Sequence, residues 1–267
     1  MSVPILDASA WREFRGIPSN LGVNKTVHLA KIADTSGKLH DCYVKLLPLN
    51  YPNLLGEAIG WLLTRSANVP CVSFAAIVLV PLDELRKSTE LSSEFDGVAT
   101  CPAWCCEVVS GKPVRQIHKW RFWLARRKCL NSIDARKIAS FDLWTDLRDR
   151  NFGNVIRSQN GGYVSIDHES ILHDLIWPPS GKTFGENSLL VEAKLHLSAE
   201  DFQRFKMDMS NAANDHTNGL TTARADLIEI INKIYPNLSA SLTPAILDML
   251  NQRAQTGWIA SKLGVIA

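Results

Sequence analysis

Between Asn131 and Ser170 the pattern of the chain changes twice, from helix to turn-rich loop to a short strand-like run. Ile138, Phe141, Trp144 and Leu147 recur at three- and four-residue spacing, which predicts a helix over 131–147 with one apolar face. Asn131 or Ser132 can cap its start. Asp149-Arg150-Asn151-Phe152-Gly153-Asn154 then reads as a loop, because Gly153 allows a backbone turn that a side chain would hinder. Residues 162–166 are strand-like, and Asp167 follows them directly. A rigid buried helix feeding such a loop is how a scaffold positions polar groups.

The polar groups delivered are Asp149 and Asn154, spaced D-x-x-x-x-N, and a second carboxylate at Asp167. Phosphoryl transfer from ATP needs these types. One carboxylate accepts or orients the hydroxyl nucleophile, while an amide oxygen and another carboxylate hold Mg²⁺ on the phosphates. Magnesium takes oxygen ligands in octahedral geometry, which an Asn–Asp pair completed by phosphates and water satisfies. The spacing alone is ordinary loop composition. The order of helix, loop, hairpin and Asp carries the specificity.

At these residues the chain resembles the atypical kinases, the HipA-like kinases first and the phosphatidylinositol 3- and 4-kinases more distantly. Those families carry Asp-Arg-His-x-x-Asn and, a short hairpin later, an Asp that binds metal. Here Asn151 stands where His is usual, and His168-Glu169-Ser170 stands where most protein kinases have Phe-Gly. The resemblance implies an α+β, two-lobed protein-kinase-like fold. Residues 1–110 would form a small antiparallel β N-lobe with one helix, and residues 111–267 a mainly helical C-lobe. It implies ATP and Mg²⁺ between the lobes, with Asp149 as base or orienter and Asn154 and Asp167 on the metal. It further implies a Ser or Thr hydroxyl of a protein as acceptor, and an antitoxin-like protein as partner. A lipid or small-molecule acceptor fits the same fold. The alternative from another class is a degenerate kinase fold that acts by docking a partner, against which the retained base and metal positions argue.

Upstream, residues 11–47 read as three strands separated by turns. Residues 26–32 alternate polar and apolar, Asp34-Thr35-Ser36-Gly37 is a hairpin turn, and residues 41–47 form a third strand closed by Pro48. The turn from Ser19 to Lys25 either contacts phosphate or is a plain connection; it holds one glycine, Gly22. Lys45 lies on the third strand, where kinases carry the lysine that reaches the ATP phosphates. Glu57 lies in a helix predicted over 52–66, with Pro52 near its first position, and by resemblance it would pair with Lys45. Both are expected to be replaceable at modest cost in stability. Residues 71–80 are a continuous apolar run, read as a buried strand, and residues 103–109 as the next. By order along the chain, the backbone from Glu107 to Val109 would hydrogen-bond adenine.

Residues 118–128, opening at His118 and closing at Lys128, mix Lys119, Arg121, Arg126 and Arg127 with Trp120, Phe122 and Trp123. Such interleaving suits nucleic acid or an acidic partner. It suits better a helix with core aromatics and a solvated basic face, the reading preferred here. A net charge of +2 argues against wholesale nucleic-acid binding. The six cysteines follow no disulfide spacing and read as buried free thiols. No signal peptide opens the chain, and the longest apolar stretch, 72–82, is too short for a membrane span, so a cytoplasmic protein is expected. Further helices are predicted over 199–211, 222–235, 243–252 and 253–263, punctuated by Pro236 and Pro244.

Overall fold

A computed structural model of the chain describes residues 2–18, 26–117 and 121–265. The fold is α+β, with a sheet in the N-terminal region and helices in the C-terminal part. Two compact units divide it: one is Ser2–Leu54 with Val72–Val108, the other Leu55–Cys71 with everything from Val109 onward. The expected turn at residues 19–25 lies outside the described residues, as do residues 118–120 of the basic aromatic stretch.

The first unit is a six-stranded sheet. Its strands are β1 (Ile5–Leu6), β2 (Trp11–Gly16), β3 (Val27–Ala33), β4 (Leu39–Leu46), β5 (Ala75–Pro81) and β6 (Thr100–Glu107), in the spatial order β1-β5-β6-β4-β3-β2. Alternation sets the faces. On β4, Cys42, Val44 and Leu46 point into the core, and Lys45 takes the opposite face, half-buried, opposite Val27 and Trp104. Ile32, Val78, Val80 and Phe95 join that core. β5 begins at Ala75 rather than at Cys71, because Cys71 instead bridges to Ser165 within the other unit.

The second unit opens with helix α1 (Asn53–Ser66), from Leu55 onward. The sequence reading placed this helix in the N-lobe. The structure groups it with the C-terminal residues, since Gly56 and Gly60 let it approach residues 168–169 so closely that a Cβ on either would lie 2.3 Å from them. After a short helix, α2 (Leu82–Arg86), in the sheet unit, a three-stranded sheet forms from β7 (Gly111–Pro113), β8 (Val155–Ser158) and β9 (Tyr163–Ser165). Helices α3 (Phe122–Leu130) and α4 (Ile133–Thr145) precede the loop. Ser132 caps α4 by accepting from Ala135 N.

α4 is the buried centre of this unit. Ile138, Phe141 and Trp144 are fully buried, as their spacing predicts, and such side chains contribute about 2–3 kcal/mol each. Short α5 (His173–Ile176) is followed by α6 (Leu189–His196), α7 (Ala199–Ala212), α8 (Asn214–Ile234), α9 (Ser239–Arg253) and α10 (Trp258–Leu263). Ser140 Oγ donates to Met209 O on α7 (2.7 Å), and Trp144 Nε1 to Leu250 O on α9 (3.0 Å). α8 begins well before the predicted residue 222, in a stretch of poor intrinsic helix formers. Packing overrides propensity there: Gly219 brings α8 against Ala67, where a Cβ would stand 2.8 Å away. α9 starts at Ser239 rather than at the predicted residue 243, so Pro244 lies in its interior rather than in its first turn, and the helix persists because Ile246, Leu247 and Leu250 are buried. On α3, Phe122 meets Phe152 edge-on (5.8 Å), but Trp123 is exposed rather than in the core. No helix among the described residues is long and apolar enough to cross a membrane.

Candidate active site

The loop after α4 is built by its own polar side chains. Asn151 Oδ1 accepts from Gly153 N (2.7 Å), and Asn151 O accepts from Asn154 N (3.0 Å), which folds residues 151–154 into a tight turn. Gly153 lies close under that side chain: a Cβ there would stand 2.7 Å from Asn151 Oδ1, which would have to shift. Asn151 therefore shapes the loop, and its Nδ2 also reaches Asp149 Oδ1 at 3.5 Å. Asp149 is held by Ser170, whose Oγ accepts from Asp149 N (3.2 Å), and by a bridge to Asn187, whose Nδ2 lies 3.4 Å from Asp149 Oδ1.

The hairpin of β8 and β9 then brings the second half of the site round. Ile166 N donates to Asn154 O (3.1 Å), so Asn154 and Asp167 end neighbouring arms of one hairpin. The Asn154 amide nitrogen is committed to Asp149 O (3.0 Å), which leaves its amide oxygen as the atom to offer a cation. Asp167 sits in the left-handed region, with φ +61°.

Arg150 ties these pieces to α4. Its side chain is fully buried, and it grips Asp142 through Nε and Nη2 at 3.0–3.2 Å. Its Nη1 donates to the carbonyls of Asn154 (3.3 Å) and Ile166. Burial pushes the Asp142 carboxyl upward, and the Arg150 guanidinium opposes that push. Spacing drew attention to Asp149 and Asn154 but not to this arginine, since a loop arginine ordinarily reads as solvated.

Glu57 reaches the same place from α1. It is 2% exposed, and its Oε2 accepts from His168 N at 2.9 Å. The expectation that Glu57 could be replaced at modest cost in stability is therefore corrected, because its loss would strip a buried N–H of its acceptor. Carboxylate oxygens of Glu57, Asp167 and Glu169 lie within 4.8 Å of one another. His168 is buried between Gly60 and Phe141 and bonded to Ser165 Oγ (3.2 Å). Burial, reinforced by Arg150, holds its pKa well below the ordinary value, so it stays neutral. The Glu57, Asp167 and Glu169 carboxylates offer oxygen, the donor that a hard cation such as Mg²⁺ prefers. Arg150 and Glu169 stand in the sequence only as motif positions with no role, and Asn187 is not singled out there; their partners come from distant positions.

The remaining candidates belong to the sheet unit or its edge. Lys45 lies on β4, as described. Glu107 closes β6, where its carboxylate receives Ser73 Oγ and lies 3.4 Å from His40 Nδ1. Glu107 N donates to Phe74 O (2.9 Å) and Val108 N to Asp41 O (2.8 Å). The expectation that this backbone contacts adenine is narrowed accordingly: two of its N–H groups are spent inside the sheet, and donation to a base would fall to Val109.

No family model matches the chain, and no curated protein matches it. Among solved structures it is similar to the MAP kinase LmaMPK10 from Leishmania major, at 10% identity and a TM-score of 0.35, over 93% of this chain and 83% of that one. It is also similar to the Helicobacter pylori proinflammatory kinase CtkA, at 11% identity and a TM-score of 0.42, over 94% of this chain and 99% of that one. Likenesses this distant carry no argument about chemistry, which rests on the geometry above.

Proposed function

We propose that the chain is an ATP- and Mg²⁺-dependent phosphotransferase, a HipA-like kinase that phosphorylates a Ser or Thr hydroxyl of a protein acceptor. The observation that supports this reading is the joining of Asp149, Asn154 and Asp167 on one loop and hairpin, with the Glu57 and Glu169 carboxylates beside Asp167. In this reading Asp149 accepts or orients the proton of the acceptor hydroxyl. Asn154 and Asp167 hold the metal through oxygen. Bound Mg²⁺ supplies neutralisation of charge on the transferred phosphoryl oxygens. Lys45 would bind phosphate with Glu57 steadying it, and Val109 would meet the base.

A thermal-shift titration with ATP, with and without Mg²⁺, tests the nucleotide half of this reading. The expected result is a rise in apparent stability that needs both. Labelled ATP added to the protein in a lysate tests the acceptor half, with label expected on Ser or Thr of a protein. Label on a lipid or small molecule would move the acceptor class. Nucleotide binding without transfer, or no binding, would leave a docking module in its place.

A further inference from the structure

Asp167 keeps a left-handed backbone, which Asp tolerates better than most residues but which remains disfavoured against extended chain. The peptides on its two sides are held by different buried side chains. Before it, the Ile166 carbonyl accepts from Arg150 Nη1, the arginine anchored on Asp142. After it, the His168 N–H donates to Glu57 Oε2. One holder is a cation on a carbonyl and the other an anion on an N–H, so each bond is charge-assisted. Gly56 and Gly60 make the second hold possible, since a side chain at either would collide with Glu169 O or His168 Cβ.

We propose that Arg150 and Glu57 are positioning residues that clamp the peptides flanking Asp167 from opposite sides and so aim its carboxylate. This gives Glu57 a task on the metal-holding segment that is separate from any partnership with Lys45. It deepens the phosphotransferase reading and rests on it. Rotating the 166–167 or the 167–168 peptide would forfeit one clamp bond, so the strained conformation is held by both together.

The test uses the full chain and the variants Glu57→Ala, Glu57→Gln and Arg150→Lys. Glutamine keeps an oxygen that can accept the His168 N–H but carries no charge. Lysine keeps the charge of Arg150 but loses its fork. Amide hydrogen exchange at His168, without nucleotide, reads the clamp directly. Exchange should quicken about tenfold or more in Glu57→Ala and in Arg150→Lys, and Glu57→Gln should restore most of the protection. With ATP present, the Mg²⁺ concentration for half-saturation should rise in Glu57→Ala and rise less in Glu57→Gln. Unchanged His168 protection in folded Glu57→Ala, or Glu57→Gln as unprotected as Glu57→Ala, overturns the proposal. An unchanged rate in Arg150→Lys removes Arg150 from the clamp. If Glu57→Ala does not fold, Glu57→Gln decides alone, with parent-like protection supporting the clamp and lost protection overturning it. If the parent binds no Mg²⁺ with ATP, the phosphotransferase reading falls, while the exchange rates still decide the clamp.

Discussion

Ile166 gives its backbone N–H to the carbonyl of Asn154 (3.1 Å), and that one bond closes the hairpin that carries the chain from the loop amide to Asp167. The two residues proposed to share a metal are thirteen positions apart in sequence yet adjoin at the base of the hairpin.

Asp149→Asn should preserve the fold and MgATP binding, because Asn151 and Asn187 hold the position through bonds an amide can also make. Phosphoryl transfer should fall about a hundredfold or more, as expected for loss of a general base. Transfer at the parent rate by a folded variant would remove Asp149 from that role.

Asp167→Ala should abolish the Mg²⁺-dependent part of ATP binding in calorimetry, since it removes an anionic ligand. Asn154→Ala should weaken it less, because a neutral amide is the poorer ligand. Unchanged affinity in both variants would put the metal elsewhere.

Arg150→Met should destabilise the protein by about 3–5 kcal/mol, because the Asp142 carboxylate is left buried without its partner. Combining it with Asp142→Leu should cost less than the sum of the two single changes. Urea unfolding of the four proteins gives the cycle directly, and simple additivity would mean that the pair does not act as a unit.

Gly60→Ala reverses an ordinary rule. In an exposed helix the change would stabilise by about 1 kcal/mol. Here the new methyl would meet His168 Cβ at 2.3 Å, so the variant should lose about 1–3 kcal/mol as α1 or the 167–169 segment shifts. A raised melting temperature would show that the helix does not pack where described.

His216 gives a pH signature. It is buried, stacked on Trp144 at 4.3 Å, and its Nδ1 has no hydrogen-bond partner among the described residues. Burial lowers its pKa from 6.5 to about 3. As pH falls below 6.5 the unfolded chain takes up the proton first. The stability His216 contributes is therefore complete above that value and is lost progressively toward about pH 3. His28, lowered to about 4 by burial, adds the same trend in the sheet unit. Unfolding midpoints should fall between about pH 7 and about pH 5, and His216→Phe should flatten that slope. An equal slope in the variant would assign the loss to other groups.

What the sequence by itself determined is local. Alternation marked β3, the hairpin turn at 34–37 and Pro48 bounded β4, three- and four-residue spacing marked the buried face of α4, and turn chemistry marked the loop that carries Asp149 and Asn154. Those signals survive in a linear reading because each depends on neighbours within a turn or a strand repeat. The tertiary structure alone decided that Arg150 is buried on Asp142, that Asn187 lies against Asp149, and that Glu57 meets His168, 111 positions further on. It also decided that α8 starts early and that α9 runs through Pro244. In each case the deciding partner is supplied by packing across a long stretch of chain, where desolvation and close approach outweigh local preference.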